Sequence, residues 1–444
     1  MSFRHTLFAA SCALVAALPF VATRAADAVP DYVTKAVNDG GRTPWDLPRD
    51  SLRKPAEVLA FAQIKPGMVV ADLVPGDAYF TRMLAKLVGA NGHVYAVVPN
   101  GGGGASRSSR MNQRLGKAPG HVPGDMGDQC TLGCYPTGGA PYVLNVDYLL
   151  ALENTDDFKK TLTTLWEDLP QYGGDLALPQ QADVIFTTNY HELHFTKFPP
   201  LPAYLKGRNA QIKALDVVAF TKSAFGALKP GGLYVIADYA AAKGAGFKQA
   251  DDLHRTEIDA VKAEITAAGF VLDGESKALA RSDDNHTTPA RGDSATRDKA
   301  DTFLLRFRKP ANAPNTDKRP SKAQEDAIMK NYYGNTVVLN PQSKAANDKG
   351  ERTRTSFYNA DHTYQEFGRM SDGPGPMQMG TWWWGADGHN CELHQFPIDE
   401  RSNVVCHTDV FAREIGAIGG QRTDGSGQKQ MIVKGHVFKA YILP

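Results

Sequence analysis

An excess of charge of either sign is missing from this chain: 49 Lys and Arg stand against 48 Asp and Glu, a formal net charge of +1. A balanced chain has no electrostatic footprint for a nucleic-acid partner, so none is expected. Long apolar runs are missing beyond the first 26 residues, so no later segment is expected to cross a bilayer. Two catalytic signatures are absent: there is no phosphate-binding G-x-x-x-x-G-K-[ST] and no zinc-binding H-E-x-x-H. The Gly292-Asp293-Ser294 triplet lies in a polar loop without the strand-turn-helix context of a hydrolase nucleophile. Cysteine is scarce, at five in 444 residues, while hydrophobic residues make up an ordinary 42%. The length allows two domains and a sizeable core.

The first residues do not belong to the fold. Arg4 and His5 begin a short, partly basic start, and Thr6 to Val21 is an apolar stretch rich in Ala and Leu. Thr23-Arg24-Ala25 places small residues where a signal peptidase reads, so residues 1–25 are expected to be a signal peptide. The mature chain is then periplasmic or secreted. The alternative is a membrane anchor, for which the run is short and interrupted by Pro19. Removal of the signal takes Cys12 and leaves Cys130, Cys134, Cys391 and Cys406. An even number in an exported chain suits disulfides, most simply Cys130–Cys134 and Cys391–Cys406. A metal site is the competing use, but C-x-x-x-C without histidines at ligand spacing argues against zinc.

The chain is organised around Met68 to Thr81. Val69-Val70-Ala71 reads as a buried strand closed by Asp72, and Pro75-Gly76-Asp77 turns the chain. Tyr79, Phe80, Met83, Leu84, Leu87 and Val88 then recur at helical spacing. Strand, glycine turn and helix form the first half of a nucleotide-binding βαβ unit, which brings a helix N-terminus to a ligand. The stretch resembles the first motif of class I S-adenosylmethionine (SAM)-dependent methyltransferases, Asp/Glu-x-Gly-x-Gly-x-Gly. Asp72 and Gly76 match it, whereas Val74 and Ala78 stand where that family has glycines. Asp77 adds a charge that a sulfonium tolerates and a pyrophosphate does not.

The resemblance continues in order. Asp183 to Thr188 is a buried strand that delivers Asn189-Tyr190-His191-Glu192-Leu193-His194 to its carboxyl end, where open α/β sheets bind ligands. A helix over Asn209 to Leu228 leads through Leu228-Lys229-Pro230-Gly231-Gly232 into a strand ending at Asp238. This is similar to the fifth-strand region of the same family. A helix from Asp251 to Ala268, a strand from Phe270 to Leu279 and a last strand from Asp301 to Arg308 complete the pattern. The closest resemblance is to a little-described group of exported, predicted methyltransferases. They carry PG-x-x-aromatic-aromatic-T, Asn-Tyr-His-x-Leu-His and His-Arg segments, and the likeness covers about residues 50–310.

The resemblance implies a Rossmann-like α/β sheet of seven strands with the last antiparallel, over residues 55–310, preceded by an arm at 26–54. Residues 101–141, dense in Gly, Ser and Pro, read as an insertion or a lid. It also implies SAM as cofactor, held by Asp72, Gly76 and Tyr79 with Asn100 or Asp147 assisting. The second strand, His93 to Val98, lacks the acid that usually holds the ribose. Methyl transfer to a small-molecule acceptor would use Asn189, Tyr190 and His191, with His191 as base. Glu192, Asp238 and His254 would face the substrate. The other reading is a non-catalytic periplasmic binding protein that keeps the fold. A helix is expected over Asp156 to Leu169, with Phe158, Leu162, Leu165 and Trp166 on one face.

Residues 311–321 read as a linker, and 322–444 as a short helix followed by a small antiparallel β domain, a barrel or sandwich. One hairpin pairs Thr353–Tyr358 with Thr363–Phe367, and another pairs Gly380–Trp384 with Cys391–His394. The consecutive Trp382, Trp383 and Trp384 must point to both faces of their strand. Met370, Met377 and Met379 with His389 and His394 offer soft ligands for copper, but packing is the commoner use of methionine.

Overall fold

The computed structural model describes residues 28–39, 41–43, 46–76, 78–99, 149–150, 152–167, 175–197, 214–290, 296, 298–343, 354–370, 373–394, 404–407, 414–420, 429–436 and 442–443. The expected signal peptide, Asp77, Asn100, the 101–141 segment with Cys130 and Cys134, and Asp147 lie outside these residues.

Strand β1 (Val69–Leu73) is buried at every position, because it lies in the middle of a sheet covered on both faces. It pairs in parallel with β2 (His93–Pro99) on one side and with β4 (Ala182–Thr187) on the other. Beyond β2 lies β3 (Leu162–Glu167), and beyond β4 lies β5 (Leu228–Tyr239). The last two strands, β6 (Val271–Ser276) and β7 (Thr302–Arg308), complete the order β3-β2-β1-β4-β5-β7-β6. Strand β7 runs antiparallel to both neighbours. Order and polarity are those expected of the seven-stranded methyltransferase sheet.

Helices α1 (Asp31–Val37), α2 (Asp50–Arg53), α3 (Pro55–Phe61) and α4 (Tyr79–Val88) lie on one face of this sheet. The apolar sides of α1, α3 and α4 join Val70, Val94, Phe186 and Val235 in a continuous core. Met83 and Leu84 are fully buried there, and truncating either to Ala would cost about 2–5 kcal/mol. Helix α5 (Val217–Ala227), the single turn α6 (Ala250–Leu253) and helix α7 (Ile258–Ala267) follow in the chain. Helices α5 and α7 pack with Ala71, Ile185, Tyr234 and Ile236 on the opposite face.

Two local expectations change, and a third gains detail. Residues 162–167 form β3 rather than a helix. Leu162 and Trp166 join the core on the helix α4 face while Leu165 joins the other, the alternation of a strand. The expected helix over 251–268 breaks at His254, whose φ of 56° ends α6. The 26–54 arm is helical and pinned: Arg82 meets Asp46 in an ion pair whose side chains are each 3% exposed.

Helix α8 (Lys322–Met329) starts at a capping box between Ser321 and Gln324. Strands β8 (Thr336–Leu339), β10 (Arg354–Tyr358), β11 (Thr363–Met370), β12 (Gly373–Trp384), β13 (Asn390–His394) and β14 (Val404–His407) follow. With β15 (Ile418–Gly419) and β16 (Gln430–Val433) they make one antiparallel sheet, in the order β14-β13-β12-β11-β10-β8-β16-β15. Both expected hairpins are present. The short strands β9 (Gln342–Ser343) and β17 (Ile442–Leu443) pair separately. Cys391 and Cys406, opposite each other on β13 and β14, form a disulfide.

The three tryptophans divide between the faces. Trp382 and Trp384 pack with Met329, Tyr332 and Tyr358 inside the second sheet's own core. Trp383 points the other way, into the core of the first sheet, where its Nε1 donates to the carbonyl of Ala177 at 3.1 Å. Arg319 ties the same junction by donating to the carbonyls of Leu178 and Trp384.

Candidate functional site

The turn after β1 keeps an unusual backbone. Val74, Gly76 and Ala78 have φ of 51°, 55° and 56°, all left-handed. Left-handed backbone costs a β-branched residue such as Val most, and such strain is held only where the surroundings enforce it. Val74 and Ala78 are the positions at which the resembled family carries glycine, so the glycine backbone persists without the glycines. The amide of Val74 donates to the carbonyl of Val97 on β2 at 2.9 Å, and Ala78 N–H donates to the carbonyl of Pro75 at 3.0 Å.

Asp72 is buried and accepts a 2.6 Å hydrogen bond from the Thr81 hydroxyl, which ties β1 to α4. Tyr79 is held by the arm. Its hydroxyl donates to Asp50 at 2.6 Å, and the guanidinium carbons of Arg42, Arg49 and Arg53 lie 5.1, 5.1 and 4.4 Å from its ring centroid. Burial, followed by the Asp50 bond, pushes its hydroxyl pKa up, so it stays protonated. Arg42 and Asp50 close this cluster with a paired hydrogen bond at 2.7 and 2.6 Å.

The segment after β4 folds as a 3-10 turn, Tyr190–His194, against the ends of β1 and β5. Asn189 Nδ2 donates to the carbonyl of Val74 at 2.8 Å, so the two motifs singled out in the sequence meet directly. His191 is buried, with Nδ1 2.6 Å from Asp238 Oδ1 and Nε2 3.1 Å from His254 Nδ1. Asp238 Oδ2 accepts from the His191 amide at 2.9 Å and from Thr256 Oγ1 at 2.6 Å. The left-handed backbone at His254 is what swings its ring into this chain. Burial, followed by the charge of Asp238, holds the Glu192 carboxyl well above the usual range, and its Oε2 has no hydrogen-bond partner. Tyr190 is fully buried, and its hydroxyl donates to Glu264, which also meets His194 Nε2 at 3.1 Å. Burial and Glu264 push the Tyr190 hydroxyl far up.

A small open cleft of about 30 Å³ lies at the carboxyl ends of β4 and β5. Thr188, Asp238 and Tyr239 form its floor, with Phe80 of α4, Arg53 of α2 and Arg281 around them. Arg49 and Arg53 both reach Asp298, at 2.6 and 3.6 Å, and anchor the arm across one side. Asp238 thus lies between the cleft and the histidine pair. Of the sequence candidates, Asn189, His191, Asp238 and His254 come together, while Tyr79 and Tyr190 are engaged by Asp50 and Glu264. Sequence reasoning passed over Thr256, Glu264, Arg53 and Arg281. Thr256 and Glu264 are ordinary helix-start and helix-face residues, and the arginines had no pattern that marked them.

No protein-family model matches the sequence, and no curated protein matches it. Among solved structures, the chain is similar to a SAM dependent methyltransferase from Aquifex aeolicus, at 16% identity and a TM-score of 0.32, over 59% of this chain and 98% of that one. A SAM dependent methyltransferase from Mesorhizobium loti is 14% identical with a TM-score of 0.31, over 59% and 99%. An arsenic(III) SAM methyltransferase from Chlamydomonas reinhardtii is 12% identical with a TM-score of 0.32, over 70% and 80%. By strand order and by the antiparallel β7, the described residues between 69 and 308 adopt the class I SAM-dependent methyltransferase fold.

Proposed function

We propose that this chain is an exported SAM-dependent methyltransferase acting on a small-molecule acceptor. The observation that carries the reading is the left-handed alternation at Val74, Gly76 and Ala78. A loop held in glycine conformation by residues that resist it is a loop whose shape matters, and in this fold that loop faces the cofactor. Bound there, SAM would supply an electrophilic methyl group on its sulfonium.

The chain's own residues divide the remaining work. The turn backbone and Gly76 would hold the cofactor, and Asn189 fixes the loop after β4 against that turn. The cleft beside Thr188 and Tyr239 takes the acceptor, with Phe80 as an apolar wall and Arg53 and Arg281 selecting anionic groups. Asp238 accepts from Nδ1–H of His191, which leaves Nε2 as an acceptor for Nδ1–H of His254. A proton released from the acceptor would reach this pair and be stabilised as imidazolium beside the Asp238 carboxylate.

A second reading, a binding protein without catalysis, is favoured by one contact. Asn189 Nδ2 lies 3.0 Å from the place a Cβ on Gly76 would occupy, so the chain itself fills part of the turn. Calorimetry of the mature chain with SAM and with S-adenosylhomocysteine separates the two. Micromolar binding of both supports the enzyme, and absence of heat at high micromolar ligand removes it. Mass determination of the protein recovered from the periplasm or medium tests the signal peptide, with cleavage after Ala25 or Ala26 expected.

A further inference from the structure

We propose that Asp175, Asp387 and His389 bind a divalent first-row transition cation of the zinc class, which clamps the second sheet to the first. Asp175 lies on the connection leading into β4, whereas Asp387 and His389 lie in the turn between β12 and β13. One ligand atom from each of the three lies within 4.8 Å of the other two. The set is preorganised on the hairpin side. His389 N–H donates to Asp387 Oδ1 at 2.9 Å, and His389 Nδ1 lies 2.6 Å from Asp387 Oδ2. A Cβ at Gly385 would come within 2.9 Å of Asp387 Oδ1, so glycine there leaves room for the carboxylate.

A separate observation points to a missing cation. Glu167, at the end of β3, is fully buried and keeps Oε1 without a hydrogen-bond partner. The charges it feels are those of Asp175 and Asp387. Three carboxyl groups therefore crowd together, and the cation described near Asp175 besides His389 is Lys318, which is exposed. A buried acid such as Glu167 either stays protonated or takes a counter-charge, and a metal ion shared with the partly buried Asp175 and Asp387 would supply two units of it. Two carboxylates with an imidazole suit zinc or manganese, while calcium and magnesium take oxygen alone.

The position gives the ion a task. Ala177 and Leu178, two and three residues after Asp175, are the carbonyls to which Trp383 and Arg319 donate. The ion would thus join the same ledge to the same hairpin and make docking depend on metal. This site is independent of the proposed cofactor turn.

The test uses the mature full-length chain, stripped with EDTA, and titrated with ZnCl₂ by calorimetry. One site is expected, with zinc raising the thermal midpoint. His389→Ala and Asp387→Asn should each weaken binding at least tenfold and abolish the midpoint shift. Cobalt(II) gives a second readout, since its visible d–d bands should change in His389→Ala. Asp175→Asn, on the connection leading into β4, serves if the hairpin variants fail to fold and should lower affinity likewise. Absence of zinc binding in the wild-type chain, or wild-type affinity in folded His389→Ala or Asp175→Asn, overturns the proposal.

Discussion

Asn189 and Val74, 115 residues apart, are joined by a 2.8 Å hydrogen bond from the Asn189 side-chain amide to the Val74 carbonyl. The bond crosses from the end of β4 to the turn after β1 and sets the distance between the two motifs. It also places Nδ2 3.0 Å from where a methyl on Gly76 would stand. Gly76→Ala is therefore expected to lose about 1–2 kcal/mol from left-handed backbone alone, plus a steric share. In an Asn189→Ala background the steric share should vanish. A double-mutant cycle in urea measures the difference, and additive losses would mean that the contact is unimportant.

Asp238 accepts three hydrogen bonds, from His191 Nδ1, His191 N–H and Thr256 Oγ1. Asn in its place would turn an amide donor toward donors. Asp238→Asn should cost about 3 kcal/mol in urea unfolding, and Thr256→Val about 1 kcal/mol.

Glu167 gives a pH signature. Burial, with smaller contributions from Asp175 and Asp387, raises its carboxyl from 4.5 to about 8. An acid raised on folding stabilises the protein fully below its unfolded pKa, and that stability is lost as pH rises through the folded value. With metal chelated, stability should fall between pH 4.5 and pH 8, by at most about 1.4 kcal/mol per pH unit. Glu167→Gln should flatten this slope and be the more stable form at pH 8. Chemical unfolding at several pH values reads it directly, and an unchanged slope would show that Glu167 stays ionised.

The Cys391–Cys406 disulfide closes a loop of sequence separation 15. Replacing both cysteines by Ser should remove about 3 kcal/mol, on chain-entropy grounds, from the second sheet. Thermal unfolding with and without reductant checks this, with the double variant insensitive to reductant.

The hairpins of the second sheet and the β1-turn-α4 unit were legible because each is specified locally, by period and by turn chemistry. The β3 error shows the limit. Leu162, Leu165 and Trp166 satisfy helical spacing, yet a sheet needing a partner for β2 took the segment as a strand. Propensity is a small term, and pairing with an already buried neighbour outweighs it. His254 likewise sat in a helical pattern, and the break that turns it toward His191 is set by contacts beyond its own segment.

What the linear chain determined was most of the elements, their order, and the two motif segments that meet at the sheet's rim. Apolar periodicity and glycine placement are short-range properties, and they survive without any tertiary context. Only the folded protein decided which polar groups face each other: Asp238 with His191 and His254, Asn189 with the turn, Asp387 and His389 with Asp175. Those partners are separated by tens to hundreds of residues. Nothing in their spacing encodes a meeting that follows from how two sheets stack and where a strand happens to end.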